Sequence, residues 1–120
     1  MEAVSHYRSN LRDIEFNLFE VLGRDELLGT GPFGDVDTET VKEILREVDR
    51  LAREDLAASF EEADRHPPTF DPETHQAPLP EAFKKSYHAW MDAEYWRLGT
   101  MAELGGTPAP SSLNLSLIHI

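Results

Sequence analysis

Apolar residues recur at helical spacing in three stretches of the chain, and the first stretch covers residues 10–22. One face of that stretch carries Leu11, Ile14, Leu18 and Leu22. Phe16, Phe19 and Val21 cover much of the remaining surface, so the predicted helix must be covered on nearly every side. Gly23 is predicted to end it, because glycine takes the left-handed cap conformation without steric cost. A short turn over residues 25–28 is expected next, with Asp25 as its N-cap.

The longest helical pattern begins with Asp37 or Thr38 as its cap and is predicted to continue to about Ala63. Its apolar positions keep the helical period throughout: Val41, Ile44, Leu45, Val48, Leu51, Ala52, Leu56, Phe60 and Ala63. Residues 29–37, which precede it, are predicted to form a loop. This long helix is the strongest structural pattern in the sequence.

Proline separates that helix from the next one. Residues 66–78 contain four of the eight prolines, which excludes continued helix there. A second long helix is predicted from Pro80 to Leu98, with Gly99 as its stop. The residues it is expected to bury are Phe83, Tyr87, Trp90, Met91 and Leu98. With no convincing run of strands, the fold is predicted to be all-α, with two long helices, short N-terminal helices and a proline-rich connector.

Charge and composition exclude several classes of function. The 120 residues carry 11 Lys plus Arg against 23 Asp plus Glu, a net charge of −12 that repels nucleic acids and anionic membranes. The absence of cysteine excludes disulfides and thiolate metal sites. No stretch approaches the ~18 consecutive apolar residues of a membrane span, and residues 1–10 lack the pattern of a secretory signal. We therefore expect one small cytoplasmic domain with no nucleic-acid partner and no membrane span.

Residues 28–36 read LGTGPFGDV and match the glycine-rich phosphate loop of protein kinases letter for letter. The surrounding sequence contradicts that function. The loop lies between two helices rather than two strands, Pro32 removes a donor N–H, and Asp35 and Asp37 would repel a phosphate. We interpret the stretch as a connector between helices.

Two acidic clusters suggest metal sites, and both lack the required spacing. Asp35, Asp37 and Glu39 resemble the start of a calcium loop, but Thr40 and Arg46 stand where glycine and glutamate are needed. The second cluster consists of Asp64, His66, Asp71, Glu73 and His75. It lacks the helical His pair of a zinc site and lies in a proline loop, so no metal site is predicted.

Glu94 is the one carboxylate on the apolar stripe of the second long helix. Burial would raise its pKa and suit it to proton transfer, whereas pairing with Arg97 would make it structural. His6, His88 and His119 have no assignable partner. No catalytic residue is predicted from the sequence.

Three blocks of the chain resemble the N-terminal helical region of bacterial acyl-CoA dehydrogenases, in the subfamily with an extra N-terminal segment. They are residues 7–23 (YRSNLRDIEFNLFEVLG), 64–80 (DRHPPTFDPETHQAPLP) and 83–110 with the ELGG turn. The resemblance implies part of a homo-oligomeric flavoprotein that removes the α and β hydrogens of fatty acyl-CoA thioesters and passes electrons to an electron-transfer flavoprotein.

The same resemblance implies that the FAD contacts and the catalytic glutamate lie outside this chain, so Glu94 is not that glutamate. It places Leu104, Gly105 and Gly106 on the approach to the acyl pocket. Residues 1–36 would be the N-terminal extension and 37–110 part of the helical domain. Residues 111–120 depart from the family. Leu113, Leu115 and Leu117 alternate there with polar residues, as in a strand, and we interpret them as an aberrant tail from a frameshift, read-through or mis-joined end.

Two functions therefore remain open. The chain is either an N-terminal fragment of a FAD-dependent acyl-CoA dehydrogenase, inactive alone, or a non-catalytic acidic helical interaction module. A fragment is expected to leave the apolar surfaces of residues 11–22 and 83–98 partly uncovered.

Overall fold

The computed structural model describes residues 6–120, and helices and turns account for almost all of their regular structure. Its α-helices are α1 (Leu11–Glu15), α2 (Thr38–Leu51), α3 (Phe60–Arg65), α4 (Glu81–Ala93) and α5 (Ser111–His119). The only strand-like pairings among these residues are two isolated bridges, Asp71 with Gln76 and Leu98 with Thr107. The prediction of an all-α fold is therefore confirmed. The predicted N-terminal segment begins with residues 1–5, which lie outside the described residues.

The chain divides into two compact units. Unit 1 contains residues 6–8 and Leu51–Ala93, and unit 2 contains Ser9–Arg50 and Glu94–Ile120. None of the helices within residues 6–120 is long and apolar enough to cross a membrane.

The first helical stretch of unit 2 forms where the sequence predicts it. The Asn10 side chain accepts a hydrogen bond from the Asp13 N–H at 3.2 Å and caps α1. A π-helical turn, Phe16–Val21, continues α1, and Gly23 follows with a φ of +57°. The prediction that Asp25 caps the next turn is wrong: the 3₁₀ turn Arg24–Glu26 begins directly after the left-handed Gly23.

The long helix begins at the predicted cap, where the Asp37 carboxylate accepts the Thr40 N–H at 2.8 Å. All residues from 38 to 65 are helical, slightly beyond the predicted end at Ala63. Regular α geometry stops at Leu51, since Ala52–Leu56 is π-helical and Ala57–Ser59 is a 3₁₀ turn ahead of α3.

The core of unit 2 is built on one face of α2. Val41, Leu45 and Val48 recur at helical spacing and are buried, and Leu45 has no exposed surface. The core cluster contains Leu18, Leu28, Val36, Val41, Leu45, Val48, Ala109, Leu113 and Leu117. Helical, loop and turn segments are thereby held to a single helix by apolar burial.

The prediction of a strand-like, exposed tail over residues 111–120 is wrong. Residues Ser111–His119 form α5, and Leu113 and Leu117 are buried in the core of unit 2. Leucines four residues apart lie on one face of a helix, whereas Leu115 between them is exposed. The segment forms a helix rather than a strand, because a helix buries both Leu113 and Leu117 against the apolar core.

The prediction that the second long helix reaches Leu98 is also wrong. α4 ends at Ala93, because Glu94 takes a left-handed backbone conformation with a φ of +59°. A 3₁₀ turn, Tyr95–Arg97, follows, and Leu98 is extended. A left-handed residue cannot continue the i to i−4 hydrogen bonds of a right-handed helix.

In unit 1, α4 packs against Ala52–Leu56, Ala57–Ser59 and α3. Ser86 is buried, and Ala82, Ala89 and Ala93 are half-buried on the same face of α4. The Ser86 hydroxyl donates to the Asp55 carbonyl oxygen at 2.7 Å. Of the residues predicted to be buried, Phe83 and Tyr87 are instead 41% and 53% exposed, and Trp90, Met91 and Leu98 are half-buried. Small residues allow close helix packing there, and Phe83 and Tyr87 lie toward the exposed side of α4.

We expect Leu113→Ala to lower the free energy of unfolding by about 2–5 kcal/mol, because it leaves a cavity in the unit 2 core. Leu115→Ala should change it by less than about 0.5 kcal/mol, because that side chain is exposed. Urea unfolding followed by circular dichroism measures both. Equal effects of the two substitutions would contradict the helical tail.

The Asp37 cap should make stability depend on pH. The Thr40 N–H and then the Thr40 hydroxyl hold the pKa of this carboxyl below its ordinary value of 3.8. The cap therefore stabilises the fold above that value and is lost as the pH falls through the lowered pKa. Asp37→Asn should reduce the loss of unfolding free energy toward low pH, measured by urea unfolding at a series of pH values. Asp25→Asn, which removes a charge outside the cap, serves as the control.

Candidate functional site at the 98–107 turn

The glycine-rich stretch at residues 28–36 is a structural connector, as predicted. Its ends, Leu28 and Val36, are buried in the unit 2 core. The Gly29 N–H donates to the carbonyl oxygens of Phe33 at 3.1 Å and Val36 at 2.9 Å. The N–H groups of Phe33 and Val36 also donate within the loop. These donors are therefore not directed at a phosphate.

The two acidic clusters carry local hydrogen bonds rather than converging on one point. Asp37 caps α2, and Asp71 accepts the Glu73 N–H and the Thr74 hydroxyl, both at 2.8 Å. These two bonds, the Glu73 N–H first, lower the pKa of Asp71. Within residues 6–120 no three His, Asp or Glu side chains lie close enough together to hold a metal ion.

Glu94 is a surface residue. Its carboxylate lies 3.0 Å from the Arg97 guanidinium, and about half of its side-chain surface is exposed. The structural interpretation, pairing with Arg97, is confirmed. The guanidinium also lies 5.1 Å from the centre of the Trp96 ring, at cation–π distance.

Tyr95 lies next to this pair and packs against the unit 2 core. Partial burial raises the pKa of its phenol, and the Glu47 carboxylate raises it further, against a smaller opposing effect of Arg50. Tyr95 therefore stays protonated at neutral pH and is unsuited to act as a base.

Backbone hydrogen bonds close residues 98–107 into a compact turn, the 98–107 turn. The Gly99 N–H donates to the Thr107 carbonyl oxygen at 2.8 Å, and the Thr107 N–H donates to the Arg97 carbonyl oxygen at 3.1 Å. Within the turn, Ala102–Leu104 is a 3₁₀ segment, and the Gly106 N–H donates to the Met101 carbonyl oxygen at 3.1 Å. The two ends of the turn are thereby held side by side.

The glycine pair of the ELGG sequence meets two separate requirements. Gly105 has a φ of +80°, which other residues rarely adopt. Gly106 lies so close to Thr100 that a Cβ atom would be 2.5 Å from the Thr100 carbonyl oxygen. Gly105 is therefore required for its backbone conformation, and Gly106 is required for the close approach of Thr100.

The predicted site residues lie together on this turn, with Leu104 at its exposed tip. Leu104 is 72% exposed and Met101 61% exposed, while Ala109, after the turn, is buried in the core of unit 2. The arrangement presents apolar side chains on a hydrogen-bonded support. Such a surface can contact an apolar ligand or protein segment, and Leu104 and Met101 carry no group for acid–base chemistry.

Gly106→Ala should destabilise unit 2 by about 1–3 kcal/mol, because the Thr100 backbone must move to admit the methyl group. Gly105→Ala should cost about 1 kcal/mol from its left-handed conformation alone. Gly34→Ala is the matched control: Gly34 has a negative φ, and its added Cβ would meet only the Gly31 carbonyl oxygen at 3.5 Å. Urea unfolding that ranks Gly34→Ala as the most destabilising change would refute this geometry.

Comparison with known proteins finds a relative that is similar to most of this chain. No protein-family model matches the chain. The chain is 54% identical over 110 residues, 92% of its length, to the broad-specificity linear acyl-CoA dehydrogenase FadE5 of Mycobacterium tuberculosis. It spans only 18% of that relative's length, which is consistent with the N-terminal part that the sequence predicts. The chain therefore resembles part of an acyl-CoA dehydrogenase, and its all-α fold is consistent with the N-terminal helical domain of that family.

Proposed function

We propose that the chain is the N-terminal part of a FAD-dependent acyl-CoA dehydrogenase, which removes the α and β hydrogens of fatty acyl-CoA thioesters, and that it has no activity alone. The supporting observation is the 54% identity over 92% of the chain to an acyl-CoA dehydrogenase. The full enzyme is proposed to be cytoplasmic and homo-oligomeric, with an electron-transfer flavoprotein as electron acceptor.

The glycine-containing loops of this chain do not fit an FAD site. A flavin pyrophosphate is bound by free backbone N–H groups and positive charge. The N–H groups of Gly29, Val36, Gly105 and Gly106 are all bonded within their own loops. Asp35 and Asp37 place negative charge beside the only kinase-like motif of the sequence. We therefore assign the FAD contacts to parts of the enzyme outside this chain, where the family resemblance also places the catalytic glutamate.

The role we propose for residues 98–107 is contact with the substrate near the mouth of the acyl pocket. Leu104 would supply apolar contact area, and Gly105 and Gly106 would hold it in position. The exposure of Leu104 on a hydrogen-bonded turn supports this role, since an apolar side chain presented to solvent can gain free energy by contact with an acyl chain.

The segment boundaries remain part of the proposal. Residues 1–36 would be the extension, 37–110 the incomplete helical domain, and 111–120 sequence foreign to the family. Sequencing the source DNA through the codon for Pro110 tests the last segment. A continuous frame into a flavin-binding domain supports the proposal, and a stop codon confirmed after Ile120 contradicts it.

One observation favours the second candidate, an acidic helical interaction module. Unit 2 has a closed core of nine buried residues, as an independently folded protein needs. A module should unfold in one sharp transition without binding hydrophobic dye. A fragment should bind dye and unfold broadly, because exposed apolar residues such as Val21 and Tyr87 lack their partners.

A chimera tests the enzyme directly. Residues 1–110 of this chain should replace the aligned part of the Mycobacterium tuberculosis enzyme and preserve flavin absorbance and oxidation of linear acyl-CoA. In that chimera, Leu104→Ala should lower kcat/KM roughly 10-fold with flavin content unchanged.

The matched control is Leu27→Ala, which removes an exposed leucine of unit 2 outside the turn. If the chimera folds with flavin but lacks activity, the proposed function is wrong. If Leu104→Ala leaves kcat/KM at the chimera's value, Leu104 does not contact substrate.

A further inference from the structure

The helix α5 contacts the 98–107 turn through the side chain of Asn114. This side chain is half-buried, and a Cβ atom added to Gly99 would overlap its Nδ2 atom and lie 3.2 Å from its Cγ atom. The three atoms nearest to that added Cβ all belong to the Asn114 amide group. The amide of Asn114 therefore packs directly against the backbone at the start of the turn.

Gly99 is one of the residues that close the turn. Its N–H donates to the Thr107 carbonyl oxygen at 2.8 Å, and its neighbour Leu98 forms the isolated bridge with Thr107. Gly99 has a φ of +80°, and glycine loses more conformational freedom on folding than any other residue. A side chain that packs against Gly99 limits the other conformations open to it, which favours the closed turn.

The position of Asn114 is fixed by the core of unit 2. Leu113 and Leu117, on the same helix, are 2% and 8% exposed and belong to the core cluster. They hold α5 in place, so Asn114 meets the turn from a rigid helix. The exposed tip of the turn, Leu104, lies outside that cluster.

We propose that α5 holds the 98–107 turn closed through Asn114, and that displacement of this side chain opens the turn without unfolding the core of unit 2. Packing of Asn114 against Gly99 thereby maintains the conformation that presents Leu104. The inference goes beyond the proposed function, since it holds whether or not Leu104 contacts substrate. It also holds whatever the origin of residues 111–120, since it concerns contacts within this chain.

Amide hydrogen exchange of the 120-residue chain, resolved by residue with NMR, tests the proposal. Asn114→Ala removes the amide group that faces Gly99. It should speed exchange at Gly99 and Thr107 roughly 5-fold or more and leave exchange in Thr38–Leu51 unchanged, because only the turn opens. Asn114→Leu keeps the branched shape of the side chain and should keep exchange in the turn slow.

Gly99→Ala gives a second, independent test of the same contact. The added methyl group displaces Asn114, so this variant should also speed exchange at Thr107. In the double variant Gly99→Ala/Asn114→Ala the methyl group has room and adds only the cost of the left-handed backbone. The double variant should therefore exchange more slowly than the two single effects predict together.

The matched control is Leu115→Ala, which shortens an exposed side chain of α5. It should leave exchange at Gly99 and Thr107 unchanged. Equal acceleration of the turn and of α2 by Asn114→Ala would overturn the proposal, because Asn114 would then support the core. Unchanged exchange in the turn, rapid exchange in Asn114→Leu, or additive effects of Gly99→Ala and Asn114→Ala would each overturn it as well.

Discussion

The structure of unit 2 depends on the burial of one face of α2. Leu45 has no exposed surface, and Val41 and Val48 flank it at helical spacing. The ends of the glycine-rich connector, Leu28 and Val36, pack into the same cluster, as does Ala109 after the 98–107 turn. Apolar burial of this kind is the main favourable contribution to folding. This burial holds the connector and the 98–107 turn in place. Leu104 is therefore positioned by a core to which its own side chain does not belong.

Unit 1 is built differently. Its helices meet partly through small residues and the Ser86 hydroxyl, and Phe60, Phe70, Phe83 and Tyr87 remain exposed. A close small-residue contact buries little area, and stability in a small unit is limited by buried area. The difference between the two units accounts for the two candidate functions. Unit 2 alone would suit a self-contained module, whereas unit 1 leaves Phe83 and Tyr87 exposed, as the proposed fragment would.

The regular helices and their caps could be predicted from the sequence. The stripe from Val41 to Leu56, the Asp37 cap and the Gly23 stop each have a local cause. The end of α4 at Glu94 could not be predicted, because glutamate carries no sequence signal for a left-handed backbone. The helical tail was missed because Leu113, Leu115 and Leu117 fit a strand by alternation and a helix by spacing of four. Packing of Leu113 and Leu117 against the core of unit 2 favours the helix.

The candidate site was predictable to a different degree. The left-handed Gly105 follows from the ELGG sequence, since paired glycines indicate a tight turn. The need for glycine at position 106 could not be predicted, because the Thr100 backbone lies against it only in the folded turn. The substrate contact proposed for Leu104 comes from resemblance to the family, and the structure adds only that this side chain is exposed. Phe83 and Tyr87 were correctly recognised as apolar helix residues, but periodicity alone could not say which face of α4 the unit covers.

Hydrogen exchange of the backbone amides tests most directly whether the chain contains one self-sufficient core and one dependent unit. The account predicts the strongest protection in Thr38–Leu51, where the amides open only with the core of unit 2, and much weaker protection in Glu81–Ala93. Equal protection of α2 and α4 in the isolated chain would contradict it, because α4 would then be as stable as the core of unit 2 without any partner.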